Sequence, residues 1–154
     1  MVIKKLKKNK IYSNIFIKML KYKKLRDVKN PCYGTIGSAG LDIFIPNDYE
    51  EQKLNIEPQE SIIIPTGLKF DIPSGYVLIA MNKSGVATKL NLQIGACVID
   101  EDYTGEPSIH LFNVSNFKVH LKPGQKITQF LLIPYIQPQL IEVDNINKKT
   151  KRGN

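Results

Sequence analysis

The residues best suited to chemistry fall into four short groups. In the first, Asp100-Glu101-Asp102 is followed by Tyr103 and, one residue on, by Gly105. An aspartate is ionised at neutral pH, so it can polarise a water molecule and accept its proton. In the second, Lys83-Ser84-Gly85 precedes Val86-Ala87. If a helix starts there, its free N–H groups and positive dipole end favour phosphate oxygens, and the glycine permits close approach. The same Ser-Gly pair also reads as an ordinary N-cap. Asp42, in Ala39-Gly40-Leu41-Asp42, is either a charge beside a turn or part of a site. Gln129, polar within the apolar run 127–133, is either a solvent-facing strand position or a donor to an anion. His110 and His120, the only histidines, lie in strand-like runs without clustered ligands and read as structural. That argues against a zinc centre, which needs spaced Cys and His.

These groups need a scaffold, and the pattern around them is that of short strands. Residues 95–99 are rich in β-branched side chains, break into the acidic stretch and resume as an apolar run at 109–114. Strand, tight acidic turn, strand is the economical reading, as a hairpin whose tip carries Asp100. Further strands are predicted at 15–20 (extending toward 25), 41–45, 61–64, 67–72, 76–81, 117–121, 127–133 and 139–143, most of them followed by Pro, Gly or Asn. Only 84–90 reads as helix. Many short strands at intervals near ten residues predict an all-β barrel or sandwich.

Composition limits the alternatives. A chain of 154 residues is most simply one domain. No apolar run approaches the ~18 residues that span a bilayer as a helix. Cys32 and Cys97 form neither a disulfide framework nor a ligand-spaced pair, which favours a reduced, intracellular setting. The net charge of +8 is unevenly placed. Residues 1–26 hold ten of the 22 Lys and Arg and none of the fourteen acids, leaving twelve bases against fourteen acids, a net −2, for the rest. The basicity therefore belongs to a leader. A solvated tail is the simple reading; contact with nucleic acid or anionic lipid, or organelle targeting, is the functional one.

Taken together, Ala39-Gly40-Leu41-Asp42, Lys83-Ser84-Gly85-Val86-Ala87, Val98-Ile99-Asp100-Glu101-Asp102-Tyr103-Thr104-Gly105 and Gly124-Gln125-Lys126-Ile127-Thr128-Gln129 resemble the motifs of the trimeric dUTP pyrophosphatases (dUTPases) in order, spacing and identity. The resemblance covers about residues 15–136, with Arg152-Gly153 as the start of a fifth motif. It implies a distorted jelly-roll-like β-barrel of the β-clip kind with one short helix. The corresponding domain plan is a basic, flexible leader at 1–14, the barrel at 15–143 and a C-terminal arm at 144–154.

The resemblance also implies a reaction, the hydrolysis of dUTP to dUMP and pyrophosphate. That activity limits uracil incorporation into DNA and supplies dUMP for dTMP synthesis. Asp100 would be the base for in-line attack of water on the α-phosphorus and would contact the sugar 3′-hydroxyl. Lys83, Ser84, Gly85, Gln129 and Arg152 would hold phosphates. Tyr103 would lie against the deoxyribose and exclude a 2′-hydroxyl. Gly95, Ala96 and Ile99 would present a backbone edge to uracil, and mispaired polar groups let such a site discriminate by on the order of 10⁴. Mg²⁺ would bridge phosphate oxygens, with Asp42 holding its waters. The assembly would be a homotrimer with sites shared between subunits.

Three features depart from the family pattern. Lys83 stands in place of arginine, replacing a planar two-pronged contact by a point charge. Cys97 replaces a usual glycine, and Pro107 sits where a strand residue usually donates. The stretch after Arg152-Gly153 stops at Asn154, before the glycine-rich arm whose phenylalanine stacks on uracil. A non-catalytic nucleotide-binding regulator on the same barrel, a related dCTP deaminase, and nucleic-acid binding through the leader are the alternative classes.

Overall fold

The structure is a computed structural model that describes residues 19–146. The leader at 1–14, the predicted strand residues 15–18 and Arg152 lie outside the described residues. Among the described residues twelve strands follow one another, with a single α-helix between the seventh and eighth. They are β1 (Lys21–Lys24), β2 (Cys32–Tyr33), β3 (Leu41–Phe44), β4 (Asn55–Ile56), β5 (Ser61–Pro65), β6 (Leu68–Asp71) and β7 (Tyr76–Asn82). After α1 (Ser84–Leu90) come β8 (Leu92–Ile94), β9 (Val98–Ile99), β10 (Ser108–Asn113), β11 (Val119–His120) and β12 (Lys126–Pro134). The all-β expectation with one short helix holds, and the architecture is jelly-roll-like.

Every ladder is antiparallel. The largest sheet runs β2-β3-β12-β7-β9, a second runs β5-β10-β8, and two-stranded pieces β1-β6 and β11-β4 complete the set. The sheets bury one continuous apolar core. Alternation is clean in β10, where Ile109, Leu111 and Asn113 point inward. Asn113 is a buried amide, and it is satisfied: its Nδ2 donates to the carbonyls of Ile56, Glu57 and Phe117, and its Oδ1 accepts from Ser115. In β12 the alternation breaks. Ile127 and Thr128 are both buried because the register against β3 slips by one residue between Lys126 and Thr128. Two residues of β12 face one of β3 there, which defines a β-bulge.

The predicted hairpin is not formed as such. Val98 and Ile99 of β9 pair with Ile79 and Leu78 of β7, whereas β10 is flanked by β5 and β8. Both edges of β10 are thus occupied, and the chain from 100 to 107 crosses from one sheet to another. Pro107 closes that crossing just ahead of β10. It has no N–H to give a ladder, and its carbonyl accepts from the Thr66 N–H at 3.0 Å. The tight turn at the start of the crossing is present, with the Tyr103 N–H donating to the Asp100 carbonyl at 3.1 Å. No strand forms at 139–143, where Leu140, Ile141 and Val143 are exposed. Pro134 and Pro138 remove ladder donors at the entry to that segment. The first described strand, Lys21–Lys24, lies in the predicted extension of 15–20 toward residue 25.

Candidate functional site

Two of the four groups meet at the end of β7 where α1 begins, and they are joined there by β12. Lys83 occupies the cap position of α1 with extended backbone and makes no side-chain capping bond. Ser84 is the first helical residue, so its hydroxyl is not the cap. Ser84 and Gly85 are exposed; the Val86 and Ala87 N–H groups both donate to the Lys83 carbonyl at 2.9 Å, so the N–H groups that the helix itself gives no acceptor are those of Ser84 and Gly85. A Cβ built on Gly85 would meet nothing within 4 Å.

Beside this turn lies Asp42, whose side chain is only 3% exposed. Its Oδ1 accepts from Lys83 Nζ at 2.7 Å and its Oδ2 from Lys126 Nζ at 2.8 Å. Burial alone would push this carboxyl up; the hydrogen bonds and charges of Lys126 and Lys83 outweigh burial and hold it below the usual carboxylate range. The bond to Asp42 in turn pushes the Lys126 ammonium up. Lys126 also lies over the Phe44 ring, 5.6 Å from its centroid. Gln129 is the direct cross-strand partner of Asp42 and donates from Nε2 to the Asn82 carbonyl at 2.9 Å. Gly40 makes room for it: a Cβ there would stand 2.1 Å from Gln129 Oε1. The corner therefore holds two ammonium groups, one carboxylate, one amide and the Ser84 and Gly85 N–H groups at the start of α1, an arrangement that suits a polyanion.

The bulge explains how these side chains share a face. Lys126 pairs with Phe44 and Gln129 with Asp42, two residues along β3. Strict alternation would put positions 126 and 129 on opposite faces. The extra residue restores the parity.

The remaining group lines a cavity of about 200 Å³ bounded by Ala80, Ala96, Cys97, Ile99, Asp100 and Tyr103. Gly95 is not among the lining residues; it precedes Ala96, and its N–H donates to the His110 carbonyl at 2.9 Å. The His110 ring packs so closely that a Cβ on Gly95 would lie 2.1 Å from Nδ1. Asp100 is exposed. The loop that carries it is pinned, with the Tyr103 hydroxyl donating to the Glu106 carbonyl at 3.0 Å and Glu106 Oε1 accepting from the Gly67 N–H at 2.5 Å. Lys126, Gly40 and Glu106 carry no role in the sequence reading, whereas His110, read there as structural, packs against Gly95. Lys126 and Gly40 sit inside recognised motifs; for Glu106 the chain offers no local signal.

The two groups do not meet within one chain. Ile99 faces Leu78 in mid-β7, and β9 runs antiparallel, so Asp100 lies beyond it, away from Asn82 and Lys83. Six residues of strand separate the level of Asp100 from Lys83, a distance on the order of 20 Å. Among the described residues no three His, Cys, Asp or Glu side chains converge to hold a metal ion.

Comparison with known proteins gives this divided geometry its context. The family model described as dUTPase matches residues 26–154. The deoxyuridine 5′-triphosphate nucleotidohydrolase of Finegoldia magna is 35% identical over 120 residues, covering 77% of this chain and 82% of that protein. The enzyme of the same name from Mus musculus is 36% identical, covering 80% and 72%. Among solved structures, the dUTPase of Staphylococcus bacteriophage 80alpha with dUPNHPP superposes with a TM-score of 0.77 at 25% identity, covering 88% of this chain and 94% of that one. With most of its length matched by the family model and by these relatives, the chain belongs to the dUTPase family.

Proposed function

We propose that the protein hydrolyses dUTP to dUMP and pyrophosphate, in sites assembled between copies of this chain in a homotrimer. The observation that carries this reading is the separation of Asp100 from Lys83-Ser84 along β7. In the proposed reaction both act around the α-phosphorus, so they must come within hydrogen-bond reach of neighbouring atoms of one nucleotide. A gap on the order of 20 Å within one chain is closed if the corner of one subunit faces the cavity of the next. A head-to-tail contact of that kind closes into a ring of three when its rotation is about 120°.

In the assembled site the Ser84 hydroxyl and the N–H groups of Ser84 and Gly85 hold phosphate oxygens. Lys83, kept in place by Asp42, adds a cation, and Gln129 donates from its amide. The nucleoside end enters the cavity, with Tyr103 against the deoxyribose and the backbone of residues 95–99 against uracil. Asp100 takes a proton from the water that attacks the α-phosphorus; the new P–O bond forms as the bond to pyrophosphate breaks, and pyrophosphate carries away the electron pair. Arg152 contributes to the phosphate end.

Mg²⁺ fits this arrangement only as an ion carried by the phosphates. Both Asp42 oxygens are occupied by ammonium groups, which leaves Asp42 to reach the ion through water. Mg²⁺ keeps several waters and prefers substrate phosphates plus few protein ligands, and it neutralises phosphate charge.

The test is Asp100→Asn in the full chain. Pyrophosphate release from dUTP should fall by roughly 10²–10⁴-fold, while affinity for a non-hydrolysable dUTP analogue stays within a few-fold. Unchanged turnover would remove Asp100 from the mechanism. Equal turnover of dUTP, dCTP, dTTP and UTP by the unaltered protein would remove the assigned specificity.

A further inference from the structure

Glu101 is adjacent in sequence to Asp100, yet its half-buried side chain carries the carboxylate into a tie among three segments. One oxygen accepts the Gly75 N–H and the other accepts the Ser74 hydroxyl at 3.3 Å. The Tyr135 phenol hydrogen-bonds to the same carboxylate. The circuit closes through the backbone, where the Tyr135 N–H donates to the Gly75 carbonyl at 3.1 Å. Thus the turn between β6 and β7, the residue that follows β12 and the loop after β9 converge on one side chain. Gly75 has φ +80, a conformation that favours glycine, and the turn offers its N–H to the carboxylate.

The chemistry of the tie is directional. The backbone N–H of Gly75, ahead of the Tyr135 and Ser74 bonds, holds the Glu101 carboxyl below its ordinary range, so it remains an acceptor. Burial, then the Glu101 carboxylate itself, pushes the Tyr135 phenol up, so it remains a donor. The far end of the same loop is held separately, by Glu106 on the Gly67 N–H. Asp100 lies between the end of β9 at Ile99 and the Glu101 anchor, and it is exposed, so its placement depends on how that anchor holds the loop.

We propose that Glu101 is a positioning residue for Asp100. Its carboxylate pegs the loop to the Ser74-Gly75 turn, and Tyr135 makes the start of the segment after β12 part of the same peg. The inference rests on the dUTP-hydrolysis reading, since it assigns Glu101 a role through Asp100. A displacement of about 1 Å in a reacting group can cost on the order of 10² in rate, whereas the phosphate contacts lie elsewhere and should be unaffected.

The experiment compares the full chain with Glu101→Ala, Glu101→Gln and Tyr135→Phe. It measures kcat and KM for dUTP and hydrogen exchange at the Gly75 amide. For Glu101→Ala the expected result is a 10–100-fold fall in kcat, with KM within about threefold and Gly75 exchange at least about tenfold faster. Glu101→Gln keeps one carbonyl acceptor for Gly75 and should restore most of kcat, which also guards against simple misfolding. Tyr135→Phe should lower kcat a few-fold. Faster Gly75 exchange with unchanged kcat would overturn the proposal, as would a Gly75 amide indifferent to Glu101→Ala. A parallel loss of kcat, KM and thermal stability without rescue by Glu101→Gln would reduce Glu101 to a structural role and overturn it too. If the unaltered protein releases no pyrophosphate from dUTP, the underlying reading fails first and takes this one with it; an active wild type with an equally active Glu101→Ala sinks this inference alone.

Discussion

Replacing Asp42 by asparagine removes the one carboxylate that two lysines share, and its cost can be worked from the geometry. Two charge-assisted hydrogen bonds at 2.7 and 2.8 Å are lost or weakened. Such bonds contribute about 1.5–3 kcal/mol each when well desolvated. The discount comes from the lysines: their side chains are 29% and 41% exposed, so each ammonium can turn to water once its partner is gone. An exposed pair contributes only about 0.2–1 kcal/mol. Asp42 itself cannot be compensated so easily, because its side chain is 3% exposed and an asparagine there would aim an NH₂ group at a cation. The net loss for Asp42→Asn should be about 2–3 kcal/mol, and that for Lys126→Met should be smaller. For a domain of this size the first corresponds to a fall in Tm on the order of 10 °C. Urea and thermal unfolding at one fixed protein concentration measure it, since an oligomer's transition depends on concentration. An Asp42→Asn protein within about 0.5 kcal/mol of wild type would show that the two lysines do not need this carboxylate. The account of the corner would then fail.

Other expectations follow from single contacts. Asn113→Ala strips a fully buried amide from three carbonyls and from Ser115, and should cost about 3–5 kcal/mol by urea unfolding; a loss below about 1 kcal/mol would mean the network is dispensable. Gly85→Ala meets open space and improves helix propensity, so stability should stay level or rise by up to about 1 kcal/mol. The same change should weaken binding of a dUTP analogue in titration calorimetry, and undiminished affinity would move the phosphates away from Gly85. Glu101 has its carboxyl held below the ordinary range, so its stabilising share is complete above the usual glutamate value of about 4.3 and is lost as pH falls through the lower folded value. The stability difference between wild type and Glu101→Gln should therefore vanish toward acid; a difference that grew there would reverse the sign of the argument.

What the chain could show in advance was local. The helix predicted at 84–90 is the helix observed, because its start after Lys83 and its stop before Asn91 are set by neighbouring residues. Strands β5, β7 and β12 lie close to their predicted places for the same reason: β-branched and apolar runs favour extended backbone, and Pro and Gly end them. The short strands β2, β4 and β8 carried no such signal, since two or three residues become a strand only when a partner lies alongside.

The tertiary structure decided which side chains meet. Alternation along β12 separates Lys126 from Gln129, and only the bulge against β3 turns both toward Asp42. Occupied edges on β10 send Val98 and Ile99 to β7, which places Asp100 at the far end of that strand from Ser84. The tie at Glu101 joins positions 26 and 34 residues away along the chain, Gly75 and Tyr135. Periodicity and turn chemistry act over a few residues. Register, edge occupancy and close packing depend on strands brought together from distant parts of the chain, and no run of sequence contains both partners.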